Sequence, residues 1–343
     1  VRGALRRPAG GAGSWLTGGL LAWLLAGVAG LAGVAGARAA TVSPPVVARA
    51  AHYLERAQNR DGGLGEAPGQ PSSELFAGWA ALGLASAGVP VAGLRASPGR
   101  PTLLAYLRRG AGTDDPGSLE RTILALGAAG DPAGARALAP RLVAHFSPDG
   151  AVARQVNLTA FGVLALRAAG GGSTRALQAR AVRWLAREGD RDAGYGFDGR
   201  GGQSDADDTG AVLEALGTGT GPALDRARRG AIGYLRRDQD RDGGFPADPG
   251  AGSNAQSTAW AIQGLLAAGV APGSLRAGGH TPLGYLDSLV SRSGAVAYAR
   301  GEFVTPVWVT GEALMALTGK PLPLVPATLP AARTERTRKG WAR

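Results

Sequence analysis

Asp205-Ala206-Asp207-Asp208-Thr209 places three carboxyl groups within four residues. Carboxyls crowded within a few ångströms cannot all ionise. One keeps its proton at a raised pKa and, in dry surroundings, becomes a strong Brønsted acid. The same residues have a plainer use. A helix start exposes N–H groups that Asp, Asn and Ser side chains cap, and an apolar run follows Thr209 directly. Capping accounts well for one of these aspartates and fairly well for two, but it does not call for three.

A second acidic run, Asp238-x-Asp240-x-Asp242-Gly243, has the spacing with which a calcium loop opens. The closing Glu is missing, because Pro249 stands at that offset. No cofactor is therefore expected, with calcium at Asp238, Asp240 and Asp242 as the one alternative. The absence of Cys removes thiolate ligands, thioesters, cysteine nucleophiles and disulfides. With His52, His145 and His280 as the only histidines, no Ser-His-Asp arrangement suggests a triad. Lys320 and Lys339 are the only lysines, and no phosphate-cradling Gly-rich loop carries either. The net charge is +11, but it gathers at the ends, in Arg2, Arg6, Arg7 and Arg38 and in the run from Arg333 to Arg343. A nucleic-acid binder would carry its charge on the folded body, so nucleic acid is not an expected partner.

The elements that position these residues are repeats. Tyr53-Leu54 leads to Gln58-x-x-Asp61-Gly62-Gly63, and Gly78-Trp79 lies in the apolar run that follows. Tyr234-Leu235 leads to Gln239-x-x-Asp242-Gly243-Gly244, then Ser257-Thr258-Ala259-Trp260. Trp184-Leu185 leads to Asp192-Ala193-Gly194, then Asp208-Thr209. Weaker copies begin at Tyr106-Leu107, Leu142 and Tyr285-Leu286, giving six units with a period typical of helical pairs. The first helix of each unit carries an aromatic–Leu pair on its buried face. Asp-Gly-Gly supplies a turn in which Gly accepts positive φ. The second helix is apolar nearly all round and must be covered on all sides. Six such pairs close into an inner and an outer ring without leaving an edge.

The two Gln-x-x-Asp-Gly-Gly motifs, each after an aromatic–Leu pair, resemble the prenyltransferase and squalene-oxidase repeats of squalene and oxidosqualene cyclases and of protein prenyltransferase β subunits. The resemblance spans about 48–320 and implies an all-α (α/α)6 toroid. It also gives Asp205-x-Asp207-Asp208 a meaning, since squalene-type cyclases carry such a motif to protonate a double bond or epoxide. By that resemblance Asp207 is the catalytic acid, Asp205 and Asp208 hold it, and an aromatic cavity stabilises the carbocation. A zinc protein prenyltransferase is not implied, because its Cys ligand is absent. Cobalamin carriers share the toroid and bind without catalysis.

If the inner helices share a direction, one mouth displays Glu74, Glu120, Asn157, Asp205, Asp207, Asp208, Asn254, Gln256 and Trp308, with Trp79 and Trp260 one turn deeper. Of these, Glu74, Trp79, Asn157, Asn254, Gln256, Trp260 and Trp308 are candidate ligand-binding residues. Trp79 and Trp260 have plain core packing as their alternative. The mouth is acidic, so a small hydrophobic, neutral or cationic ligand suits it better than a phosphate. Three features weigh against catalysis. Squalene-type cyclases use a second barrel, for which this chain has no room. Aromatics are only 6% of residues, and Trp15, Trp23 and Trp341 fall outside the repeats. Export would part the protein from cytosolic isoprenoid precursors.

The export expectation comes from residues 1–39, where basic residues, an apolar run and Ala37-Arg38-Ala39 form the parts of a signal peptide, with an uncleaved anchor as the alternative. The expected organisation is thus 1–39 signal, 40–322 toroid, and 323–343 a Pro-rich then basic disordered tail. A membrane would be touched only through the N-terminus or that tail. The first reading is a secreted or cell-surface toroid that binds a small molecule or partner at its mouth. The second is a terpene cyclase-like isomerase using Asp207, and the third is a surface scaffold with a filled core.

Overall fold

The computed structural model describes residues 43–326, except 111, 113, 171 and 218. The segment 1–39 and the basic end from 327 lie outside the described residues. Numbered in chain order, six helices form an inner ring: α2 (Glu74–Ser86), α4 (Pro116–Ala128), α6 (Val156–Ala168), α8 (Ala206–Leu216), α10 (Ala255–Ala267) and α12 (Pro306–Thr318). Six form the outer ring: α1 (Pro44–Arg56), α3 (Leu103–Gly110), α5 (Pro132–Val143), α7 (Arg175–Leu185), α9 (Pro222–Asp238) and α11 (Pro282–Leu289). Each inner helix packs on the next, and α12 packs back on α2, which closes the barrel. An antiparallel pair, β1 (Phe245–Pro246) and β2 (Ser253–Asn254), leads into α10.

The repeat logic read from the sequence is visible in the packing. The leucines Leu54, Leu107, Leu142, Leu185, Leu235 and Leu286 of the outer helices are all fully buried. In the turns, Asp61 Oδ1 accepts from the Gly63 N–H at 3.0 Å and from Ser72 at 2.9 Å, and Asp242 Oδ1 from Gly244 at 3.0 Å and Ser253 at 2.8 Å. Gln58 and Gln239 donate to the Gly62 and Gly243 carbonyls. The second glycine of each turn is required for closeness. A Cβ on Gly244 would meet Ser253 Cβ at 2.6 Å and the Tyr285 ring at 2.9 Å. The Tyr285 and Tyr234 hydroxyls in turn donate to the Ser253 and Ser204 carbonyls. The helices α9 and α11 thereby lock the turn of the preceding unit.

Two inner contacts are closer than side chains allow. A Cβ on Gly83 would lie 2.6 Å from the Gly311 carbonyl, and one on Gly264 would lie 2.6 Å from the Gly210 carbonyl. Backbone therefore meets backbone at α2–α12 and α8–α10. The end of the barrel at the C-termini of the inner helices is crossed by the segment after α12. There Leu322 is buried and donates its N–H to Glu214 Oε1 at 2.9 Å, and Leu324 packs on the core.

Opposite outcomes are expected at two of these turns and contacts. Gly264→Val should destabilise by more than about 3 kcal/mol, because overpacking here strikes backbone. Ala193 occupies the first-glycine position with φ +67°. Ala193→Gly should relieve about 1 kcal/mol of left-handed strain and raise the melting temperature by about 2 °C. Calorimetry of the two variants checks both.

Candidate active site

All six inner helices bring their first turns to one mouth, because every helix pair returns the chain to the same end. A cavity of about 440 Å³ opens there. Leu75, Trp79, Glu120, Arg121, Asn157, Phe161, Asp205, Asp207, Asp208, Trp260, Trp308 and Glu312 line it, and Phe197 and Asp248 reach it from the loops before α8 and α10. Its floor is aromatic. Trp79, Phe161 and Trp260 meet edge-to-face, with ring centroids 5.1–5.9 Å apart. Phe76 meets Trp308 in the same way at 6.4 Å. Such contacts turn positive ring edges onto negative faces and fix the rings in place. The low aromatic content expected to weigh against a cation-stabilising cavity is thus offset by concentration, since these rings gather at one mouth.

The three aspartates divide their roles. Asp205 is the N-cap of α8, and its Oδ1 accepts from the Asp208 N–H at 2.7 Å. Ser73 and Asn254 cap α2 and α10 in the same way. Burial raises the pKa of Asp205, although the N–H groups of Asp208 and Asp207 pull it down. Asp208 is pushed up to about 9, by burial and then by the charges of Asp205 and Asp207, and its carboxyl hydrogen-bonds to Asp205. One proton is therefore held between these two. Asp207 is not part of that pair. Its carboxyl is hydrogen-bonded by Ser257, whose hydroxyl accepts from Asn254 Nδ2 at 2.9 Å. Asp207 Oδ1 is buried and has no partner. Burial first, then the nearby charges of Asp205, Asp248 and Asp238, push Asp207 up to about 7. Capping explains Asp205 and leaves Asp207 free.

The other candidates fall in two groups. Asn157, Trp79, Trp260 and Trp308 line the cavity. Glu74, Asn254 and Gln256 do not. Glu74 is held by a two-pronged ion pair with Arg121 and by the Thr122 hydroxyl. Asn254 is buried as a cap, and Gln256 Nε2 is turned onto Glu312 Oε2 at 2.7 Å. Glu312 and Phe161 were not singled out in the sequence. The signal for Glu312 was a lone carboxylate inside the apolar run 307–317. Burial raises it to about 8, against hydrogen bonds from Gln256, Trp308 and Trp260. Glu120 is likewise held well above the ordinary range, first by burial and then by Asp115. Asp240 and Asp242 both accept from Ser253 Oγ. Among the described residues no group of three or more His, Asp and Glu is placed to hold a metal ion.

Known structures match this arrangement over nearly their whole length. The apo type II terpene cyclase MstE from Scytonema superposes with a TM-score of 0.56 at 14% identity, over 80% of this chain and 97% of that one. A protein from Actinoplanes gives 0.58 at 16% identity, over 80% and 98%. A wild-type glycosidase gives 0.54 at 15% identity, over 81% and 97%. The fold is a terpenoid cyclase-like (α/α)6 toroid. No protein-family model matches the chain, and no curated protein matches it in sequence. MstE is itself matched along 97% of its length by this single barrel.

The raised carboxyls make the toroid's stability fall with pH. Asp207, Asp208, Glu214 and Glu312 are pushed to about 7, 9, 8 and 8 when folded, against about 4 when unfolded. The folded state binds more protons between these limits. Their contribution is fully present below about pH 4 and is lost as pH rises through 7–9. The melting temperature should drop between pH 6 and pH 9, and Glu214→Gln should flatten that drop. A melting temperature that rises over this range would contradict the assignment.

Proposed function

We propose that this toroid is an acid-initiated isoprenoid cyclase, an isomerase in which Asp207 donates the first proton to a carbon–carbon double bond or epoxide. The observation that carries the reading is the Asp207 carboxyl itself, buried, with one oxygen unpartnered, on the wall of a cavity floored by Trp79, Phe161 and Trp260. The Ser257 hydroxyl favours the charge left on this carboxyl when its proton departs. Proton transfer forms a C–H bond and leaves a carbocation, which the fixed aromatic rings stabilise. Asp208, its own proton committed to Asp205, acts by position. A single-barrel neighbour that is a type II terpene cyclase supports the reading, and a variant of that cyclase has been solved with geranylgeranyl dihydroxybenzoate as its substrate. Arg121 is already neutralised by Glu74, so a substrate without phosphate fits best. Export through residues 1–39 belongs to the same proposal, and would place the cavity among lipids outside the cytosol.

A second reading follows from Asp207 and Glu312 sharing one cavity, which gives an acid–base pair of the kind glycoside hydrolysis uses. A glycosidase is among the similar structures. The aromatic floor favours a hydrocarbon over a sugar.

The test is turnover by the purified chain with squalene, shorter polyprenyl substrates, a lipid extract and aryl glycosides, analysed by mass spectrometry. Wild type should form a cyclised isomer, and Asp207→Asn should lose at least about 10³-fold of that rate while melting normally. The wild-type rate should fall as pH rises through about 7, where Asp207 loses its proton. Equal cyclisation by both proteins, or glycoside cleavage alone, would sink the cyclase reading. No turnover by a folded wild type would return the cavity to the role of a binding site.

A further inference from the structure

Glu312 is nearly inaccessible, and the carboxyl lines the cavity wall in the second turn of α12. Its hydrogen-bond partners are N–H donors. Trp308 Nε1 donates to Oε1 at 2.7 Å and Gln256 Nε2 to Oε2 at 2.7 Å. Burial holds a proton on Glu312 below about pH 8. Above that the carboxylate has about four lone-pair sites, which these two donors do not fill. No cation pairs with it either, since Arg121, the cavity's one lining cation, is bound to Glu74. Fixed donors around an unpaired carboxylate, beside the aromatic floor, make a preorganised counter-charge.

We propose that Glu312, once ionised, is the counter-charge that faces a cationic centre held over Trp260 and Trp308 in this cavity. The Asp207 charge disfavours that of Glu312, so a cation seated between the two carboxyls favours ionisation of both.

Binding separates this inference from the cyclase reading. The probes are geranyltrimethylammonium and its neutral isostere with tert-butyl in place of trimethylammonium. The readout is quenching of tryptophan fluorescence by the full chain at pH 8.5. Wild type should bind the ammonium at least about tenfold more tightly than the isostere. Glu312→Gln should lose that preference and keep its affinity for the isostere, which also shows that the cavity is intact. If wild type shows no preference, or the variant retains it, the proposal is overturned whatever Asp207 does. If Glu312→Gln binds neither probe, Glu312→Asp decides. Restored isostere binding with a reduced ammonium preference supports the counter-charge, and an unchanged preference overturns it.

Discussion

Each inner helix is apolar around nearly its whole circumference, so it survives in water only where neighbours cover every side. That requirement forces closure. Side chains then fill the axis, and glycine lets α2 meet α12 and α8 meet α10 at backbone distance. The site inherits its character from this arrangement. Six helix starts converge on one mouth, while the segment around Leu322 crosses the other end. The cavity is therefore one-ended, with a floor of interlocked rings, and anything that enters must leave past the same polar rim.

Closure also changes what the acidic residues mean. By composition the mouth is strongly acidic, but the carboxyls were placed by helix packing in surroundings that resist charge. Asp208 and Asp205 share a proton, burial disfavours charge on Glu120, and Asp207 and Glu312 are poised near neutrality. Arg121 is cancelled by Glu74. The wall is thus far closer to neutral than its residues suggest, which suits a hydrocarbon ligand and leaves a small number of movable protons. A water-filled acidic funnel would do the reverse.

The toroid was legible because its determinants are local and repeated. An aromatic–Leu pair, an Asp-Gly-Gly turn and an apolar helix can each be read within twenty residues, and the same hydrogen bonds recur at Asp61 and Asp242. The Asp205-x-Asp207-Asp208 motif was legible for the same reason. What sequence could not give was contact across the ring. Glu312 matters because Gln256, one repeat away, turns onto it. Glu74 leaves the cavity because Arg121 of the next inner helix takes it. Phe161 joins Trp79 and Trp260 because side chains of α6, α2 and α10 meet across the barrel. These pairings depend on closure and side-chain direction, and no spacing within one repeat encodes them.

The position of Asp207 explains how one carboxyl can both keep a proton and give it up. Burial holds the proton on, as a charge in a dry wall is costly. Two features wait for the charge that forms when the proton leaves. The first turn of α8 presents the positive end of a helix dipole, and the Ser257 hydroxyl, oriented by Asn254, can only strengthen its bond to a carboxylate. Asp208 stands one residue away on the same helix start but has spent its proton on Asp205. Holding and releasing are thus balanced at the second residue of the helix, where capping makes no claim on the side chain. Asp205 is tied to the backbone as a cap and Asp208 to its neighbour, so Asp207 is the aspartate of the three whose proton remains available to something in the cavity.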